Sequence, residues 1–239
     1  EHFEPYVPAS LASGSDIFKV IAERDVLLHH PYDGFEPVIR FLRQSARDPH
    51  VVCTRQVLYR VSTNSPIVDA LIEAAFAKKD VTVIVESRAR FDEENNVICG
   101  LRLEQAGCHV IYGTEGLKVH SKVTQVLRIE DNKIRSYLHL GTGNYNEITA
   151  RSYTDFGFFT SDEELNTAAC GLFNFITAFW KILISILYNS FGSSSVSAAL
   201  AASISLYPGF SSSGRFTRTY TPQAVAIISS SSSIMPDEV

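Results

Sequence analysis

Short apolar runs alternate with segments of helical periodicity up to about residue 180, and this alternation restricts the fold more than any other feature. Residues 35–47 and 65–79 carry apolar side chains at helical spacing, and Ser65 followed by Pro66 is a typical helix start. Such alternation predicts an α/β domain, a mixed sheet flanked by helices. The predicted strands are residues 25–30, 50–59, 81–87, 108–113, 121–129, 134–140 and 153–160.

The composition of the chain changes at about residue 180. From Ile182 to Pro236 the only charged residues are Arg215 and Arg218, while serines occur in clusters. Serine-rich segments bury too little apolar surface to offset the entropy of ordering them. We therefore predict an α/β domain over residues 1–180, which the resemblance described below identifies as catalytic, and an irregular, Ser-rich tail over residues 181–239.

Residues 173–191 are apolar almost throughout, which raises the alternative of a membrane contact. Lys181 lies near the middle of this segment, and Asn174 and Asn189 lie near its ends. These polar side chains favour a packed C-terminal helix over a spanning one. The first ten residues, EHFEPYVPAS, fit neither a secretory signal nor a transit peptide. We expect a cytoplasmic protein, with a peripheral membrane contact as the alternative.

The charge balance argues against nucleic acid as a partner. The formal net charge is −5 and the pI is about 5.8, so no overall positive field surrounds the chain. Any polyanion would have to bind in a local basic pocket. The cysteines at positions 53, 99, 108 and 170 lack the spacing of a zinc site.

One histidine stands in a pattern that suggests chemistry. His120 and Lys122 are two residues apart, so on a strand both side chains project to the same face. About twenty residues later comes GTGN, which ends at Asn144. An H-x-K pair followed by G-[ST]-x-N resembles the half-site of the phospholipase D superfamily, which forms a phosphohistidine. Imidazole is the nucleophile, the lysine neutralises phosphoryl oxygens, and the asparagine with backbone N–H groups binds the remaining oxygens.

Longer blocks carry a closer resemblance. Together they are similar to the polyphosphate kinase family, in its first catalytic, phospholipase D-like domain, over about residues 5–178. The resemblance implies an α/β fold of phospholipase D type. The blocks are DVLLHHPYDGFEPVIRFLRQSARDP (25–49), LYRVSTNSPIVDALIEAA (58–75), VTVIVESRARFDEENN (81–96), GCHVIYGTEGLKVHSK (107–122) and YLHLGTGNYNEITARSYTDFGFFTSDEE (137–164).

This resemblance implies reversible transfer of the terminal phosphoryl group of ATP to a histidine and on to polyphosphate, with Mg²⁺. His120 corresponds to the phosphorylated histidine. Arg60 and Arg90 correspond to the family's phosphate- and magnesium-site arginines, and Tyr153 to a tyrosine that contacts the nucleotide. Because magnesium takes oxygen ligands, the arginines would hold phosphates that in turn carry the metal. Lys122 and Asn144 would bind phosphate.

Several alternatives stay open for these residues. Arg60 and Arg90 could form surface ion pairs, Tyr153 could pack against the sheet, and Asn144 could cap a turn. Family members carry further domains on both sides, including a second phospholipase D-like domain that completes the active site. An active enzyme is therefore expected to be a homo-oligomer that joins two half-sites, with ATP, ADP and polyphosphate as partners.

Two other functional classes compete with the enzyme. One is a catalytically incomplete fragment that binds ATP or polyphosphate without turnover. The other is a phosphodiesterase of phospholipase D type. It is the weaker alternative, because Leu127 stands where an acidic residue is expected five positions after Lys122.

Overall fold

The fold is a seven-stranded mixed sheet, in a computed structural model that describes residues 4–86, 93–113 and 118–178. The predicted α/β class is confirmed, and each predicted strand lies within one or two residues of an observed one. The strands are β1 (Val26–His30), β2 (Val51–Leu58), β3 (Asp80–Val85), β4 (His109–Tyr112), β5 (Lys122–Glu130), β6 (Lys133–Gly141) and β7 (Asp155–Thr160).

The strand order is β1-β7-β6-β5-β2-β3-β4. The pairs β2–β3 and β3–β4 are parallel, and the other neighbouring pairs are antiparallel. The turn between β5 and β6 contains Asp131 and Asn132 at φ 48° and 59°, a left-handed conformation that suits short polar residues in a hairpin. The turn joins β5 and β6 as an antiparallel hairpin.

Five α-helices accompany the sheet within the described residues. Two were predicted from periodicity, and the second begins as expected, with Ser65 Oγ accepting from the Val68 N–H at 3.5 Å. The first helix has only seven residues, too few to show a period in the sequence. The helices are α1 (Ile17–Glu23), α2 (Glu36–Arg47), α3 (Pro66–Phe76), α4 (Glu93–Gln105) and α5 (residues 163–178).

Side chains that alternate along the central strands meet different helices. On one face, Phe41 of α2 lies 5.5 Å from Phe159 of β7, and Phe18 of α1 lies 5.0 Å from Tyr137 of β6, measured between ring centroids. On the other face, the Gln125 amide donates to the Asn166 carbonyl of α5 at 3.0 Å. Helices therefore pack on both faces of the sheet.

The strand register brings two sequence motifs to one edge. β5 begins at Lys122, and its Cα partner on β6 is Gly141, the first residue of GTGN. β2 lies on the other side of β5 and ends at Leu58, close to the same edge. The H-x-K pair, the GTGN loop and the LYR segment thus meet where β5 starts.

The C-terminal part of the chain is described only at its beginning. Chain contacts group Glu1–Gly171 as one compact unit and start a second unit at Leu172, of which residues 172–178 are described and helical. The predicted tail over 181–239 and most of the apolar segment 173–191 lie outside the described residues. The domain boundary at residue 180 stays a prediction. Within the described ranges, no helix has the length and apolarity needed to cross a membrane.

Candidate active site

The centre of the candidate site is a direct contact between His120 and Lys122. The Lys122 ammonium Nζ donates to the backbone carbonyl of His120 at 2.6 Å and to its imidazole Nε2 at 3.0 Å. His120 is exposed, whereas Lys122 is only 6% exposed. Because the backbone is extended here, the two side chains lie on the same side of the chain. The imidazole ring therefore faces solvent above a buried cation.

A buried tyrosine joins this pair to two further cations. The Tyr59 ring lies nearly perpendicular to the His120 imidazole, with 4.5 Å between ring centroids and 85° between planes. The charged groups of Lys122, Lys118 and Arg60 lie 5.1, 5.3 and 5.4 Å from the centre of the Tyr59 ring. These distances fall within the range of cation–π attraction. Three positive charges thus surround one aromatic ring and one imidazole.

The surroundings keep the His120 imidazole neutral. Partial burial lowers the pKa of His120 below its ordinary value, and the charges of Lys122, Lys118 and Arg60 lower it further. Glu86 acts in the opposite direction but more weakly. A neutral imidazole at pH 7 has a free electron pair, so it is competent as a nucleophile.

Burial also changes the ionisation of the lysine. The pKa of Lys122 falls to about 8, chiefly through desolvation, and Arg60 and Lys118 contribute in the same direction. Asp155 partly offsets this effect. At pH 7 the ammonium is still mostly protonated, so it can bind an anion. It loses its charge at a lower pH than an exposed lysine does.

Two carboxylates that the sequence did not single out support the site. Glu86 directly follows β3 and is 1% exposed, and its Oε2 accepts from the Val119 N–H at 2.8 Å. Asp155 starts β7, and its Oδ1 accepts from the Thr142 hydroxyl at 2.8 Å. The first carboxylate fixes the backbone just before His120, and the second fixes the GTGN loop. Both lie inside the quoted family blocks, at 81–96 and 137–164, but no spacing pattern marked either of them as a site residue.

The GTGN loop closes the site opposite Lys122. A Cβ at Gly143 would lie 2.5 Å from Asp155 Oδ2, so this position has no room for a side chain. Asn144 lines a small cavity with His30, His139 and Gly157. Its amide oxygen is buried and has no hydrogen-bond partner within the described ranges. The loop therefore brings a polar amide and closely packed backbone to the edge that holds Lys122.

The structure brings some of the predicted site residues together and leaves others apart. The structure gathers His120, Lys122 and Arg60 into one cluster. Tyr153 follows a short 3-10 helix, and its side chain is 65% exposed. Among the contacts of the described residues, its ring has none with the His120 cluster. Arg90 lies in the segment 87–92, outside the described residues.

The cluster suits phosphate better than a bare metal ion. Magnesium binds oxygen ligands, whereas three of the groups near His120 are cations. The carboxylates of Glu86 and Asp155 are each occupied by a protein donor. In the part of the chain that the structure describes, no three His, Cys, Asp or Glu side chains form a metal-binding group. These residues do not fit a directly bound Mg²⁺.

Fold and cluster together define an α/β domain in which an exposed histidine lies among cations that are suited to phosphate. Residues 16–181 match the family described as "Polyphosphate kinase C-terminal domain 1". The chain belongs to the polyphosphate kinase family, which confirms the resemblance found in the sequence.

Individual relatives agree with this assignment. The chain is 52% identical over 176 residues to a polyphosphate kinase of Exiguobacterium sp., covering 73% of this chain and 24% of that protein. It is 51% identical over 175 residues to a polyphosphate kinase of Bacillus anthracis, covering 73% and 25%. The crystal structure of polyphosphate kinase from Porphyromonas gingivalis matches with a TM-score of 0.65 and 36% identity, covering 73% of this chain and 29% of that one. The chain thus spans about a quarter of the length of the curated relatives it matches.

Proposed function

We propose that this chain carries the histidine half of a polyphosphate kinase active site, in which His120 accepts the terminal phosphoryl group of ATP and passes it to polyphosphate. The observation that carries the proposal is the exposed imidazole of His120, bonded to Lys122 and lying among three cations. The relatives named polyphosphate kinase support the substrate class.

In the proposed first step, His120 Nε2 attacks the γ-phosphorus of ATP. An N–P bond forms, the P–O bond to the β-phosphate breaks, and ADP leaves with the electron pair. At rest the Nε2 atom accepts a hydrogen bond from Lys122 Nζ, which occupies the reacting electron pair. Phosphate oxygens are stronger acceptors for an ammonium. Substrate binding would therefore draw Lys122 away and free the nucleophile.

In the second step, a terminal oxygen of polyphosphate attacks the phosphorus, the N–P bond breaks, and the chain grows by one phosphate. The same steps in reverse would form ATP. The charges of Lys122, Lys118 and Arg60 stabilise the oxygens of the transferred group in both directions, because those oxygens carry negative charge throughout.

Three further roles belong to this proposal. Asn144 would donate its amide N–H to phosphate, Arg90 would bind a second phosphate, and the exposed Tyr153 ring would contact adenine. Magnesium would arrive on the phosphates of ATP, which Arg60 and Arg90 hold. Its chemistry when bound is to neutralise phosphate charge.

A second candidate function is binding without turnover. The described cluster supplies one histidine and three cations, and the family resemblance implies that a second half-site, as in a homo-oligomer, completes the active site. Without that partner, the cluster would bind ATP or polyphosphate and not turn over.

Labelling with γ-labelled ATP and magnesium tests the enzyme directly. We expect acid-labile, base-stable label on the native chain and none on His120→Ala. His109→Ala is the matched control, because His109 lies on β4 with an exposed side chain and should be labelled like the native chain. If the native chain binds tripolyphosphate but takes no label, the binding function stands and the enzyme is refuted.

A further inference from the structure

We propose that Tyr59 is a positioning residue for phosphoryl transfer, whose buried ring orients the His120 imidazole and holds the cations of Lys118, Lys122 and Arg60 around it. This inference rests on the proposed function of His120 and adds a residue that touches neither the phosphate nor the nucleotide. The tyrosine directly follows β2, next to Arg60 in the chain.

The backbone at Tyr59 is held by two hydrogen bonds, and the ring itself is buried. Its backbone carbonyl accepts from the side-chain amide of the buried Asn96. The preceding carbonyl, on Leu58, accepts from the Glu86 N–H at 2.9 Å. Only 5% of Tyr59 is exposed, so its ring has little freedom to turn. A buried ring with little freedom can hold the long charged side chains around it in defined positions.

Three like charges close together repel one another, and a site for phosphate needs them close. The face of an aromatic ring is electron-rich and attracts each of the three without carrying a net charge. A carboxylate in the same place would attract them too, but it would cancel the positive field that binds phosphate. It would also raise the pKa of His120. A neutral ring therefore attracts the three cations without cancelling the positive field that binds phosphate and without raising the pKa of His120.

The same ring limits the rotation of His120. The imidazole is exposed, and its described polar contact is with Lys122 Nζ at 3.0 Å. The perpendicular contact with Tyr59 at 4.5 Å adds a second constraint, so Nε2 is directed to the cation that will meet the phosphate. Without the ring, the imidazole would sample orientations in which Nε2 is not aligned for attack.

The experiment compares Tyr59→Phe, which keeps the ring, with Tyr59→Met, which keeps most of the volume and removes the ring. Tyr137→Leu serves as the control, because Tyr137 is another buried tyrosine, 1% exposed and hydrogen-bonded to Glu130 rather than to the His120 cluster. Three quantities are measured in the full chain: the pKa of His120 by NMR without nucleotide, the Kd for tripolyphosphate, and the rate of phosphohistidine formation.

For Tyr59→Met we expect the pKa of His120 to rise toward its ordinary value, since water reaches the imidazole and the cations disperse. Tripolyphosphate should bind about tenfold more weakly, the size of effect that loss of shared cation–π contacts allows. Phosphohistidine formation should slow by at least about tenfold. Tyr59→Phe should stay within about twofold of the native chain in all three measurements, and so should Tyr137→Leu.

Two outcomes overturn the inference. One is a folded Tyr59→Met variant with native His120 pKa and tripolyphosphate affinity, and the other is a Tyr59→Phe variant as impaired as Tyr59→Met. If Tyr59→Met does not fold, the fallback is Lys118→Met, made once in the native protein and once together with Tyr59→Phe. Because both backgrounds keep the ring, Lys118→Met must weaken tripolyphosphate binding by the same factor in each, and unequal factors refute the role of the ring. A native chain that is never phosphorylated would refute the proposed function, while the NMR and binding results would still decide the role of Tyr59.

Discussion

Replacing Lys122 with methionine should stabilise the fold while removing one cation of the proposed phosphate site. The ammonium is held where only 6% of the residue is exposed, and its pKa falls from 10.5 to about 8. At about 1.4 kcal/mol per pKa unit, that difference corresponds to about 3 kcal/mol of unfavourable free energy in the folded, charged state. Methionine fills a similar volume without a charge. It loses the two hydrogen bonds to the exposed His120, which water can replace, so we expect a net gain of about 1–3 kcal/mol at pH 7.

The stability difference between the native protein and Lys122→Met should depend on pH in a defined direction. Between about pH 8 and 10.5 the unfolded chain holds a proton on Lys122 that the folded chain has released. Stability of the native protein therefore rises with pH across this range, relative to a variant that lacks the group. The advantage of Lys122→Met should be full below pH 8 and vanish by about pH 10.5.

Urea denaturation at pH 7, 9 and 10.5 measures the free energies of unfolding. Lys133→Met is the control, because Lys133 is an exposed lysine at the start of β6 and its replacement should change stability little at any of these pH values. A Lys122→Met variant that is less stable than native at pH 7, or whose stability difference does not change with pH, would refute this reasoning.

Three further expectations concern the pH profile, packing and capping. The rate of phosphohistidine formation should fall at acidic pH, as His120 takes a proton with a pKa below its ordinary value, and above about pH 8, as Lys122 loses one. Lys122→Arg should remove the alkaline fall in a stopped-time labelling assay. Gly157→Ala should lower the free energy of unfolding by about 1–3 kcal/mol, because the added Cβ would lie 2.9 Å from the His139 imidazole and 3.2 Å from the His30 imidazole. Gly171→Ala is the control and should not destabilise the protein, because this helical position faces open space. Asp16→Ala should lower it by about 1 kcal/mol, since the carboxylate accepts from two N–H groups at the start of α1; an unchanged urea midpoint would contradict the capping role.

Local patterns were sufficient to predict the strands and two of the helices. The run at 121–129 and its partner at 134–140 carry β-branched and apolar residues on both sides of Asp131 and Asn132, and hairpins depend on such short-range features. α4 was not predicted, because Gly100 interrupts it and its apolar side chains do not follow one clear stripe. The Gly100 position is instead explained by tertiary packing, since a Cβ there would lie 2.5 Å from the Tyr112 hydroxyl.

The sequence by itself determined the α/β class, the family, and the pairing of His120 with Lys122, because these depend on local periodicity and on two residues in one extended segment. Only the tertiary structure decided which groups surround that pair. Tyr59 comes from the end of β2, and Asp155 from the start of β7. The tertiary structure also lowers the pKa of Lys122 to about 8, chiefly by burying the ammonium. Desolvation depends on what packs above a side chain, and that arrangement is set by strand order rather than by neighbours in the chain.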